Sequence, residues 1–240
     1  MPPRPVPPTR ALATAAAGWA AYRWWRVASS VGPYQLHWTR RELRPGVLRY
    51  VALGDSLAQS IGASRPDRGY AALLADRLER ATGQRVHVTN LGRTGIMIHD
   101  LVRDQLPVLH AMDPAPDLVT VTIGTNDVGR LTPRELRARF TELCTGLPAG
   151  AAVADLPRFH RGRRAGAAVE ASAVLREVLA QHPHLVHVPL ERATEHTGLA
   201  HRSADLFHPN DRGHRLYADT FWAALTDQPY DTGARTTDSA

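Results

Sequence analysis

The sequence predicts an α/β fold, a five-stranded and mainly parallel sheet with helices on both faces. Two observations carry this. From Leu48 onward, short apolar runs of strand length alternate with amphipathic runs of helical spacing. Glycine-containing polar turns follow the first three strands, at the carboxyl edge where an open parallel sheet collects its ligands. Crossovers between parallel strands are nearly always right-handed, so such units wind into an open sheet covered on both sides.

The stretch 1–47 differs in composition and reads as an N-terminal extension: a Pro-rich start, an apolar run from Ala11 to Tyr22, then Arg23-Trp24-Trp25-Arg26. The apolar run is shorter than the roughly 20 residues a spanning helix needs, and arginines flank it on both sides. Three readings stay open. The stretch is a helix packing its tryptophans on the domain, an interfacial helix resting Trp19, Trp24 and Trp25 at a membrane surface, or a secretory signal. A cytoplasmic or peripherally membrane-associated protein is expected over a secreted one.

Strands are predicted at Leu48–Leu53, Arg85–Asn90, Leu118–Ile123, Ala151–Leu156 and Leu185–Leu190. Helices are predicted at Tyr70–Ala81, Ile98–His110, Pro133–Leu147 and about Ala165–Gln181, with a last one after Pro209. The main domain thus runs over 48–226, and 227–240 reads as a flexible tail. At 240 residues, with 43% hydrophobic and 22% charged residues, the chain is an ordinary globular one built around one sizeable core.

All 29 basic side chains are arginine, and the net charge is +6. The arginines lack the aromatic interleaving that tracks a nucleic-acid strand, so no nucleic-acid partner is expected. Cys144 is the one cysteine, which excludes an intramolecular disulfide; its place in the helical apolar pattern of Phe140, Leu143 and Leu147 makes it a core residue. Among the 12 histidines none shows a ligand pattern with acidic partners, so no metal is expected.

The chemistry-bearing residues lie at predicted strand ends or in a loop. Ser56 follows the first strand in Gly54-Asp55-Ser56-Leu57, so its hydroxyl emerges at the sheet's carboxyl edge, a position suited to a nucleophile; the same tetrapeptide also suits a capping turn. A serine hydroxyl needs a base. Asp205-Leu206-Phe207-His208-Pro209-Asn210 offers one, because an Asp three positions before a His can bond one ring nitrogen and turn the other toward Ser56. Acyl transfer also needs oxyanion donors. Asn90-Leu91-Gly92-Arg93-Thr94-Gly95 can supply a glycine amide, and Asn126 a side-chain amide from Gly124-Thr125-Asn126-Asp127.

These four stretches, in this order, resemble the sequence blocks of the SGNH or GDSL hydrolase family of esterases and lipases, over Leu48 to about Leu225. The resemblance implies a flavodoxin-like three-layer α/β/α sandwich. It implies a Ser56-His208-Asp205 triad and an oxyanion hole from Ser56, Gly95 and Asn126, with Gly92 the alternative glycine. It also implies an ester or lipid substrate and no cofactor. Two features depart from the family pattern: the extension, and the run Arg158, Arg161, Arg163 and Arg164, which reads as a solvated loop more readily than as an anion site. Acyl transfer to an alcohol remains open beside hydrolysis, as does a non-catalytic binding module of the same fold.

Overall fold

The computed structural model describes residues 18, 19, 21–159 and 165–226. The Pro-rich start, the arginines at 161, 163 and 164, and the tail 227–240 lie outside the described residues. The chain is helical over 21–28 and then enters α1 (Val31–Glu42). Five strands follow: β1 (Leu48–Gly54), β2 (Val86–Asn90), β3 (Leu118–Thr122), β4 (Ala152–Ala154) and β5 (Val186–Val188). Between and after them run α2 (Tyr70–Thr82), α3 (Ile98–Asp104), α4 (Leu106–His110), α5 (Pro133–Gly146), α6 (Ala165–Ala180), α7 (Leu190–Ala193) and α8 (Asp211–Thr226).

The strands are all parallel in the order β2-β1-β3-β4-β5, the doubly wound arrangement of flavodoxin-like sheets. Alternation along β1 sorts its side chains between two cores. Val51 and Leu53 join the cluster of α3, α4, α5 and α6, which includes Leu101, Phe140, Leu143, Leu175 and Cys144. Tyr50 and Ala52 join the other, with Tyr70 and Leu74 of α2, Phe221 of α8 and Trp38 of α1. The sheet is therefore buried on both faces, as an apolar-rich parallel sheet must be.

Local chemistry explains the element ends. Thr132 caps α5, its hydroxyl accepting from the Glu135 amide while Glu135 accepts from the Thr132 amide, with Pro133 in the first turn. Two predicted elements are reshaped. The segment Ile98–His110 is broken at Gln105, whose side chain leaves the helix to pair with both backbone polar groups of Gly54, each at 2.9 Å. Pro107 then sits in the first turn of α4, where its missing N–H costs nothing. The last two strands hold three residues each, and Leu190 opens α7 instead of closing β5.

Of the N-terminal stretch, α1 is fastened to the domain by one face. Tyr34 and Trp38, four apart, are buried; the Tyr34 hydroxyl donates to the Ala63 carbonyl at 2.7 Å and the Trp38 indole to the Gln59 carbonyl at 3.2 Å. Trp19, Trp24 and Trp25 are exposed. Among the described residues no helix is long and apolar enough to cross a membrane.

Candidate active site

The order β2-β1-β3 makes the carboxyl ends of β1 and β3 the point where the chain's winding reverses, which opens a crevice there. Ser56 lies just past β1 and Asn126 just past β3, on the two sides of that crevice. Buried Asp55 ties the two turns together. One of its oxygens accepts from the Leu57 amide at 3.0 Å; the other accepts from the Thr125 hydroxyl at 2.8 Å and, at a longer 3.4 Å, from the Asn126 amide.

The segment 203–210 brings the imidazole of His208. An isolated antiparallel bridge pairs Arg202 with Pro209, and the Ser203 amide donates to the His208 carbonyl at 2.8 Å. Asn210 fixes the exit: its side-chain oxygen accepts from the amides of Arg212 and Gly213 and so caps α8, while its NH2 donates to the carbonyls of Ala200 and Arg202. The loop meets the Ser56 turn at Gly62, where φ is +97° and a Cβ would lie 2.3 Å from the Pro209 carbonyl oxygen and 2.7 Å from the His208 Cβ. Only glycine allows that approach.

The result is a continuous chain of polar contacts. His208 Nε2 lies 3.0 Å from the Ser56 hydroxyl oxygen, and its Nδ1 lies 2.5 Å from Asp205 Oδ2. The other Asp205 oxygen accepts from the amides of Phe207 and His208, both at 3.0 Å, and from the Ser203 hydroxyl at 2.8 Å. Burial pushes the Asp205 carboxyl up, but the bonds from His208, Phe207 and Ser203 and the nearby imidazole outweigh it and hold it down to about 2. The Asp205 carboxylate can only accept, so Nδ1 is the donor to it, and Nε2 is turned toward Ser56. The Phe207 ring stands edge-on to the His208 ring at 5.0 Å and to Phe159 at 5.5 Å, forming an aromatic edge beside the imidazole.

Gly95 and Asn126 border this chain. Thr94 donates from its amide and hydroxyl to Gln59 Oε1, at 2.8 and 2.5 Å, and Asn126 donates to the Ile96 carbonyl at 2.9 Å. Gly95 is thus held between the Ser56 turn and Asn126, in the left-handed region at φ +86°. Among the described residues the N–H groups of Ser56 and Gly95 have no hydrogen-bond acceptor. The Gly92 N–H is already committed to the Asn90 side chain at 2.9 Å, which separates the two glycines of that turn.

Several residues of the site were not singled out in the sequence. Burial pushes Asp55 up to about 6, against the bonds from Leu57 and Thr125; Asp127 is pushed to about 7 by burial and by the Asp55 charge, while it accepts from the Ile98 amide. Gln59, Gln105 and His214 are buried supports: His214 accepts from the Tyr70 amide at 3.3 Å and donates to the Ile61 carbonyl at 3.1 Å, and burial lowers it to about 4, keeping it neutral. The adjacency of Asp55 and Asp127 to Ser56 and Asn126 was the available signal; the glutamines carried none.

Arg158 pairs with Glu191 at 3.2 Å and with Glu195 at 3.1 Å. Cys144 is fully buried, and burial pushes its thiol up to about 12. Among the described residues no group of three or more His, Cys, Asp or Glu is placed to hold a metal ion.

The doubly wound sheet thus sets a hydroxyl, an imidazole and a carboxylate in series at its switch point. The chain belongs to the GDSL-like lipase/acylhydrolase family, whose model matches residues 52–216, and it is a carboxylic ester hydrolase. Solved structures share its fold. An alpha/beta hydrolase from the metagenome of Lake Arreo, Spain, is 24% identical with a TM-score of 0.61, over 77% of this chain and 98% of that one. A family 3 carbohydrate esterase from Clostridium thermocellum is 20% identical with a TM-score of 0.61, over 75% and 96%. The acetylxylan esterase Axe2 from Geobacillus stearothermophilus is 20% identical with a TM-score of 0.59, over 75% and 94%. No curated protein matches the chain.

Proposed function

We propose that the chain hydrolyses its ester substrates through an acyl-enzyme on Ser56. The observation that carries this reading is the unbroken series from Asp205 through His208 to Ser56, at 2.5 and 3.0 Å. Ser56 Oγ attacks the ester carbonyl carbon while its proton passes to His208 Nε2. Asp205, held ionised, stabilises the imidazolium that forms. The tetrahedral intermediate collapses as His208 returns the proton to the departing alkoxide, which leaves as alcohol. Water then attacks the acyl-enzyme with His208 again as base, and the carboxylic acid is released.

The oxyanion takes the free amides of Ser56 and Gly95 and one N–H of Asn126. Asn126 keeps its 2.9 Å bond to Ile96 and holds Asp55 only at 3.4 Å, so that second N–H is the one to turn toward the substrate. Each such donor is worth about 3 kcal/mol in the transition state.

Ser56→Ala leaves the urea midpoint within error of wild type and lowers turnover of a short p-nitrophenyl ester by about 10^3-fold or more. Undiminished turnover by the folded variant would overturn the reading. Product analysis with an added alcohol separates hydrolysis from acyl transfer: release of free acid alone supports hydrolysis, and an ester of the added alcohol as main product favours transfer.

A further inference from the structure

We propose that the helical stretch before α1 docks the enzyme on anionic lipid membranes, its aromatic side chains entering the headgroup layer. The stretch has one face moored and another uncovered. Val27 is buried with Tyr34 and Ile61, and the Arg23 guanidinium donates to the Ala204 carbonyl. Away from that face, Trp19, Tyr22, Trp24 and Trp25 are 61%, 47%, 69% and 62% exposed. Trp19, Tyr22 and Trp25 follow one another at three-residue spacing, their rings meeting at centroid distances of 5.8 and 6.3 Å. They form a continuous aromatic strip in water, where these side chains lose the apolar contact their rings favour.

Charge decides what covers the strip. The first 41 residues contain six arginines and no acidic residue, while the other 23 arginines are balanced by 23 acidic residues. The whole net charge of +6 therefore belongs to the segment that carries the strip. A second copy would set that positive charge against itself. An anionic bilayer complements it: indole and phenol rings settle at the depth between headgroup and acyl chain, and arginines pair with lipid phosphates. Moored at Ala204, one residue before Asp205, the docked stretch would hold the catalytic loop at the lipid surface.

The test uses the full chain and sedimentation with vesicles of phosphatidylglycerol and phosphatidylcholine, against vesicles of phosphatidylcholine alone. The expected result is binding to the anionic vesicles, weakened at about 0.5 M salt and accompanied by a blue shift of tryptophan emission. The triple variant Trp19→Ala/Trp24→Ala/Trp25→Ala should bind at least roughly tenfold more weakly, with turnover of soluble p-nitrophenyl acetate kept within about twofold. Arg26→Glu, a single change at an exposed position, should weaken binding in the same direction and guards against misfolding of the triple variant. Failure to bind anionic vesicles, or unaltered binding by both variants, would overturn the proposal. So would a dimer in sedimentation equilibrium that the triple substitution dissolves, which would make a second copy the occupant. The readout is binding, so its outcome is separable from that of the acyl-enzyme reading.

Discussion

In the proposed mechanism Asp205 serves both structure and chemistry. Its carboxylate accepts four hydrogen bonds, two from backbone amides, one from Ser203 and one from His208, and these hold it near 2 despite burial. Because the folded value lies below the ordinary carboxylate range, this group contributes stability above about pH 4 that disappears as pH falls through about 2. The contribution is roughly 2 kcal/mol. Asp205→Asn should therefore be less stable than wild type in urea at pH 6, with the gap closing between pH 4 and pH 2. The same change removes the anion that fixes the His208 tautomer, so kcat should fall by about 10^3 to 10^4. A variant with wild-type kcat would contradict that role. Ser56 and Asn126 could be picked out as candidates from the polar turns after β1 and β3, and Asp205 and His208 from their three-residue spacing in the loop before α8. Gly95 was less so, since Gly92 shares its turn; the choice depends on which amide is free, which only the backbone path reveals. Gln59 and Gln105 were illegible, because a glutamine becomes a backbone clamp only through contacts made across the fold.

At the level of elements, α1 links the N-terminal stretch to the site. Trp38 is buried in the core cluster that also holds Leu74 and Phe221, and its indole holds the Gln59 carbonyl while the Gln59 side chain holds Thr94, next to Gly95. Trp38→Ala should cost about 3–5 kcal/mol, read as a lower urea midpoint. Trp38→Phe should keep most of the packing but lose the bond to Gln59. Its signature is a kcat lowered at a KM near wild type, with most of the stability retained; unchanged kcat would make Trp38 a packing residue only. The strand and helix positions were largely legible, because burial on both sheet faces leaves uninterrupted apolar runs and amphipathic helices leave theirs at helical spacing. Composition set the extension's border at 47/48, yet two turns of α1 bury aromatic residues against the domain, a tertiary contact without a local signature. The break at Gln105 and the shortness of β4 and β5 likewise depend on partners distant in sequence.

At the scale of the whole molecule, strand order does the assembling. Winding outward in both directions from β1 and β3 leaves one crevice at their carboxyl ends, and the final loop before α8 returns across it to set His208 against Ser56, 152 residues earlier. The polar residues that looked scattered along the chain are neighbours for that reason. The most direct measurement is intact-mass and peptide analysis of the full chain after reaction with a fluorophosphonate, which reports whether Ser56 is an activated nucleophile. The account predicts one adduct, on Ser56, formed far more slowly by His208→Ala and absent from Ser56→Ala; an active enzyme that stays unlabelled, or is labelled at another residue, would contradict it.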